Sequence, residues 1–263
     1  MRFRRSVAPG FVLLLTLSFG LSLANDPRPT VSSAEGNWRT AARHSAGIAP
    51  DPLRHADSAI VQVYTAATYG WRGYFAVHPW IIYKRAGDTA YTRYDVIGWG
   101  SRPVVRRNYA VPDGLWFGAT PSVLVDHRGE GVDAIIDAVE SAIARYPHAN
   151  EYRSYPGPNS NTFLAHIGRE VPALRLDLPA NAIGKDYRPL GRPLGVSPSG
   201  SGVQFSLLGL LGLSVGLEEG LELNLLGLNF GIDLNSPALR LPAIGRVGLD
   251  DAVVSERDAT VVQ

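Results

Sequence analysis

Tyr155-Pro-Gly-Pro-Asn-Ser-Asn-Thr-Phe163 joins two kinds of chain. Pro156, Gly157 and Pro158 make a stiff, turning approach. Asn159 or Ser160 can then cap a helix that opens at Asn161-Thr162-Phe163, because short polar side chains accept from the unpaired amides of a first turn. The Ser160 hydroxyl would stand at the positive end of that helix, where backbone N–H groups point outward. Such a place suits a nucleophile beside an oxyanion site. It equally suits a plain helix cap, and cap, ligand contact and catalysis all stay open at this stretch.

Upstream of it, Val132, Ile135, Ile136, Val139, Ala142 and Ile143 form one apolar stripe of an amphipathic helix over 131–146, ended by Pro147. Downstream, Phe163, Leu164 and Ile167 give the second helix, 161–171, a buried side, and Pro172 stops it. Before both helices come short β-branched and aromatic runs bounded by turns, at 59–64, 74–84, 91–97, 104–109 and 122–126. Their spacing predicts an antiparallel meander. Pro79 marks the second run as an edge or a bulge, since proline lends no N–H to a ladder. Lys185-Asp186, in an ordered loop at 178–187, reads as a solvated pair, with the lining of a cleft as the alternative.

His78 sits inside the apolar second strand. A buried histidine bonded to a carbonyl accounts for it. So does a general base, since the unperturbed imidazole titrates near neutrality. Asp95 and Tyr94 on the next strand could orient it. His44, His55, His127, His148 and His166 show no metal-binding spacing, and neither metal nor cofactor is expected. His166, six residues past Ser160, lies on another face of its helix and reads as surface or packing.

The chain has 263 residues, 45% apolar and 19% charged, which allows one sizeable core. A net charge of +1, with no basic patch interleaved with aromatics, gives no reason to expect nucleic acid. The absence of cysteine excludes disulfides, thiolate metal sites and a cysteine nucleophile. Arg2, Arg4 and Arg5 followed by the apolar run 11–24 read as a secretory signal over 1–24, or as an uncleaved anchor with the arginines inside. Either way the remainder is expected to be exported, periplasmic or tethered at the inner membrane. Residues 25–57 read as a linker with one short helix near Trp38–His44, 58–190 as the core, and 249–263 as a polar, disordered tail.

Residues 198–248 are rich in glycine and leucine. Leu221-Glu-Leu-Asn-Leu225 alternates, and Leu226-Gly-Leu-Asn-Phe-Gly-Ile-Asp-Leu234 alternates in the opposite phase. The slip at Leu225-Leu226 predicts a β-bulge. Internal glycines disfavour a long helix and favour packed strands. Glu218, Glu219 and Glu222 forbid a membrane span. A β-rich region with one apolar face is expected. That face could pack on the core, lie against lipid or form a partner interface, because it is soluble only if covered.

A strand histidine followed by a helix that opens Asn159-Ser160-Asn161-Thr162-Phe163 resembles the circularly permuted papain-like families, among them the PPPDE and NlpC-type peptidases. Those families carry cysteine where this chain has Ser160. The resemblance implies an α+β fold, an antiparallel sheet with two main helices. It implies Ser160 as nucleophile or its ligand-binding remnant, His78 as base, Asp95 or Tyr94 as orienter and Asn161 among the oxyanion donors. Asn159, Tyr155 and Trp80 would complete a ligand-binding cleft. A serine hydroxyl, unlike a thiolate, needs a well-aligned base. The chain also resembles an uncharacterised bacterial family, domain of unknown function 3750, through Gly70-Trp-Arg-Gly73, Val77-His78, Gly98-Trp99-Gly100, Gly157–Phe163 and Ala182–Tyr187. That likeness implies a bacterial envelope protein and no activity. Two functions follow as expectations. One is a hydrolase or amidase-like site on Ser160 and His78. The other is a non-catalytic envelope protein that binds lipid, glycan or a protein through the cleft and the apolar C-terminal region.

Overall fold

The computed structural model describes residues 37–249. The signal or anchor read at 1–24 and the tail from Asp250 lie outside the described residues. Strands β1 (Ile60–Ala67), β2 (Val77–Lys84), β3 (Thr92–Val96), β4 (Val105–Arg107) and β5 (Ser122–Arg128) form one antiparallel sheet in the order β4-β3-β2-β1-β5. The first four make the expected meander, and β5 returns to the free side of β1. Pro79 marks neither an edge strand nor a bulge. It stands opposite Thr65 in an unbroken register on the middle strand. It is tolerated because β3 pairs with β2 only over Ile81–Tyr83, which leaves Pro79 outside that ladder.

Helices α1 (Val132–Ala144) and α2 (Ser160–Glu170) cover one face of this sheet. Alternation along β1 and β2 sends Val61, Val63, Ile81 and Tyr83 toward Ile136, Val139, Phe163, Leu164 and Ile167 in the main core. The opposite phase sends Tyr64, Trp80 and Ile82 to the other face, where Trp116 joins them. Residues 37–57, read as a linker, are fastened over that second face. The Asp113 carboxylate accepts from the amides of Ile48 (2.8 Å) and Ala49 (3.1 Å), and the Tyr91 hydroxyl donates to the Pro50 carbonyl at 3.0 Å. The helix read near Trp38–His44 is only a turn at 38–40, where the Asn37 side chain accepts from the Arg39 amide.

The glycine-leucine region is a second sheet. Strands β6 (Leu194–Val196), β7 (Gly202–Leu207), β8 (Leu211–Gly216), β9 (Gly220–Leu225), β10 (Leu228–Asp233), β11 (Ala238–Leu241) and β12 (Gly245–Gly248) pair consecutively as an antiparallel meander. The phase slip at Leu225-Leu226 is not a bulge. Leu225 pairs with Leu228, and Leu226-Gly227, both at positive φ (53° and 79°), form a two-residue hairpin turn. A two-residue reversal changes the alternation in sequence while the faces stay aligned.

What docks this sheet on the core is polar. Lys185 and Asp186 are not a solvated pair, being 0% and 1% exposed. The Lys185 ammonium donates to the Leu178 carbonyl (2.9 Å) and to Glu222 Oε1 (2.9 Å) and lies 2.7 Å from Oε2. Arg240 pairs with the same carboxylate at 2.9 Å and with Asp177. The two Asp186 oxygens accept from Gln204 Nε2 (2.6 Å) and Asn224 Nδ2 (2.8 Å). Burial pushes the Glu222 carboxyl up to about 7 against the pull of Lys185. Burial alone would lower Lys185, but Glu222 and Asp186 outweigh it and hold the ammonium above its usual value. Removing one partner from such a network leaves an uncompensated buried charge. Lys185→Met is therefore expected to lose about 3–5 kcal/mol in urea denaturation. A loss under about 1 kcal/mol would show that the network does not hold the sheet in place.

Candidate functional site

The 155–163 stretch is first a joint. Asn159, not Ser160, is the cap: its Oδ1 accepts from the amides of Asn161 (2.9 Å) and Thr162 (3.1 Å), while the Asn159 amide donates to Thr162 Oγ1 at 3.1 Å. The same side chains reach across to the loop that carries Lys185. Asn159 Nδ2 and Asn161 Nδ2 donate to the Ile183 carbonyl (2.9 and 2.8 Å), and Thr162 Oγ1 donates to that of Gly184 (2.8 Å). Gly184 (φ 97°) passes so close beneath Asn159 that a Cβ would lie 2.5 Å from its Nδ2. Tyr155, half exposed, donates its hydroxyl to the Leu226 carbonyl at 2.9 Å and so ties the loop to the second sheet. Asn161 Nδ2 also donates weakly to the Val77 carbonyl at 3.3 Å, so that nitrogen is taken up by backbone carbonyls and is not free to serve as an oxyanion donor.

The structure brings His78 and Asp95 together on the face of the first sheet opposite the one that α2 covers. His78 is cross-strand to Ala66 and belongs to the Trp80 face of the sheet; α2 and Ser160 lie over the Val77 and Ile81 face. His78 Nε2 donates to Asp95 Oδ1 at 3.1 Å, and Arg93 grips that carboxylate with two bonds of 2.7 and 2.8 Å. The imidazole is sealed by Trp116, stacked at 3.6 Å between ring centroids. Trp80 lies in the same aromatic layer, its indole N–H donating to the Pro112 carbonyl at 2.8 Å and the Arg93 guanidinium 4.2 Å from its ring. Tyr94 points to the other face, where it stacks on Tyr83, and cannot orient His78. The base–orienter pair is thus real in geometry, and both of its members are buried. It pins β2 to β3. Strand parity separates Ser160 from His78, and helix order alone could not reveal that.

Burial lowers the His78 pKa. The hydrogen bond and charge of Asp95 pull the other way, and the Arg93 charge adds to the lowering. Burial tends to raise Asp95, but its bonds to His78 and Arg93 hold it below the usual carboxylate value. A folded histidine pKa below about 6.5 means that the unfolded chain binds the extra proton first. Stability carried by neutral His78 is full above that pH and is lost as pH falls through the window below it. The Asp95 share is lost only further down, below the ordinary carboxylate value. His78→Gln is expected to flatten the pH dependence of the melting temperature between about pH 6.5 and 5, leaving the part due to His166, which burial also lowers. An unchanged slope would place the titrating group elsewhere.

The feature that sequence patterning left unassigned is the outer face of the second sheet. Gln204, Ser206, Ser214, Glu222, Asn224, Asn229, Asp233 and Arg240 face inward and are buried. The alternate phase faces out: Val203, Phe205, Leu211, Leu213, Val215, Leu221, Leu223, Ile232, Leu239 and Val247 are all exposed. Seven strands about 4.8 Å apart and about six residues long cover on the order of 600 Å². That equals the largest apolar patches of ordinary monomers, roughly 300–600 Å². Period two told which residues share a face. It could not tell that the polar phase would find its partners in Asp177, Lys185 and Asp186 and turn inward.

The fold and site therefore define an α+β protein of two antiparallel sheets, with a sealed helix-cap joint and an uncovered aliphatic face. Residues 58–187, from the start of the first sheet through the loop bearing Lys185, match the family described as "Protein of unknown function (DUF3750)". The second sheet lies beyond the matched segment. Neither the curated proteins nor the solved structures contain a match to the chain.

Proposed function

We propose that the chain is a non-catalytic protein of the bacterial cell envelope that rests on a lipid surface through the outer face of β6–β12. The observation that carries this reading is the exposed aliphatic face, together with the polar docking that prevents it from turning inward. Water on each such leucine costs about 1.5–3 kcal/mol relative to burial, so the face has a strong reason to be covered. Its composition favours lipid over protein. The outward positions are Leu, Val, Ile, Phe and one Gly, with no tyrosine, tryptophan or arginine among them. Protein interfaces are enriched in those aromatic and arginine anchors and carry about one hydrogen bond per 100–200 Å². The basic and apolar residues 1–24, read as an export signal or anchor, support delivery to a membrane. Among the described residues no helix is long and apolar enough to cross one, so the contact proposed is a surface contact. A papain-like ancestry is compatible with this reading, with the ancestral site converted to a joint.

The test is flotation of the full chain with phosphatidylcholine vesicles. Leu213 and Leu223 are 46% and 41% exposed on neighbouring strands. Leu213→Glu with Leu223→Glu is expected to cut the floated fraction at least about ten-fold, since each loses roughly 1.5–3 kcal/mol of burial, with an unchanged melting temperature. Wild-type chain that stays with the soluble fraction as a monomer would overturn the proposal. So would a wild-type dimer that these substitutions dissolve, because the face would then be covered by a second copy.

A further inference from the structure

A separate cleft lies between the end of α1, the second turn of α2 and the loop leading into β6. It has a volume of about 630 Å³, within the range that small organic ligands fill. Arg169, Arg188 and Arg192 line it, with Tyr146, His148 and His166 on the wall formed by the helices. None of the three arginines has a carboxylate within ion-pair distance among the described residues. Two are instead shaped by backbone. Arg188 donates from Nε to the Arg192 carbonyl (3.0 Å) and from Nη2 to that of Leu194 (2.8 Å). Arg169 donates to the carbonyls of Val196 (3.2 Å) and Lys185 (3.0 Å) and to Gln204 Oε1 (2.9 Å). In each the remaining nitrogen, Nη1, makes no hydrogen bond among the described residues.

The acidic groups nearby are already engaged. Glu170, on the rim, pairs with Arg145 at 3.1 Å, and Glu151 lies 3.5 Å from His148. Burial first and the neighbouring Arg188 charge second pull Arg169 down to about 10. The Asp186 and Glu219 charges act on Arg169 the other way without outweighing this; guanidinium groups crowded together with no carboxylate in direct contact are costly, and a bound anion lowers that cost. Three planar forks around one space suit the several oxygens of a phosphate better than a single carboxylate. The space is much larger than phosphate alone, and Pro147, Pro189 and Tyr187 supply apolar wall for the remainder of a ligand. At its far end the cleft is lined by Val196, whose cross-strand partner Val203 belongs to the exposed aliphatic face.

We propose that this cleft binds the phosphate of an organic phosphate ester, with Arg169, Arg188 and Arg192 as its anion ligands. The ester is either a free phosphomonoester or the headgroup of a phospholipid whose chains continue over Val196 onto the aliphatic face. The second source rests on the lipid-surface reading above; the first does not. Titration calorimetry of the full chain with glycerol 3-phosphate and with inorganic phosphate tests the free form. Co-sedimentation with phosphatidylcholine vesicles, with and without phosphatidic acid, tests the lipid form. Arg192 is exposed and its side chain makes no hydrogen bond or ion pair among the described residues, so Arg192→Gln is expected to leave the melting temperature unchanged. Arg192→Gln should weaken the bound probe about ten-fold, the usual loss for one charged hydrogen bond, and Arg192→Lys should restore part of it. Saturable binding of glycerol 3-phosphate that depends on Arg192 supports a free ester. Enrichment on phosphatidic acid vesicles that depends on Arg192, without binding of the soluble probe, supports the headgroup. Absence of both, or binding indifferent to Arg192 and Arg188→Gln alike, overturns the proposal. Because Leu213→Glu with Leu223→Glu leaves the cleft intact, loss of the lipid reading alone would spare glycerol 3-phosphate binding.

Discussion

The ion pair between Lys185 and Glu222 is the contact on which the arrangement of this molecule depends. Neither group is in water, and each has a second partner, Leu178 for the lysine and Arg240 for the glutamate. The pair contributes little net energy beyond a well-packed apolar alternative. What it contributes is direction. A seven-stranded sheet with one polar and one aliphatic face would ordinarily put the aliphatic face on the core. Here the polar phase is the only one with partners in the core loop, so the sheet is turned over and its leucines look outward.

The 155–163 joint makes that possible. The cap of α2 does two things at once, closing the first turn of a helix and holding the Ile183 and Gly184 carbonyls. Those two residues immediately precede Lys185 and Asp186. The polar side chains that resembled a catalytic opening are thereby spent on positioning the loop, and the loop positions the sheet. His78 does comparable work on the other face, where the aromatic layer and Arg93 keep it sealed.

Much of this was legible in the residues. The apolar stripe at 132–143, the turn-bounded β runs and the proline stops gave the helices and strands of the first half, and internal glycines set the C-terminal β-rich region apart from a long helix while its glutamates excluded a membrane span. The site was legible only in part. His78 and Asp95 were paired correctly because adjacent strands bring such side chains together, but strand parity relative to a helix packed many residues later is a tertiary fact. Ser160 and His78 fall on opposite faces for that reason. Lys185-Asp186 looked solvated because such charged side chains are rarely buried, and the partners that offset their desolvation, Glu222 for the lysine and Gln204 and Asn224 for the aspartate, come 18 to 38 residues further on. The Arg169–Arg188–Arg192 cleft had no local motif at all.

The chain has no cysteine, so a single introduced thiol can be labelled cleanly. The most direct measurement is the accessibility of a nitroxide at Leu223→Cys to oxygen and to a water-soluble nickel chelate, with and without vesicles. Ala144→Cys, exposed on α1, serves as the reference. A sheet that lies on lipid by its aliphatic face predicts higher oxygen and lower nickel accessibility at Leu223 when vesicles are added, and no change at Ala144. Equal accessibility to the nickel chelate at both positions, with vesicles present, would contradict it.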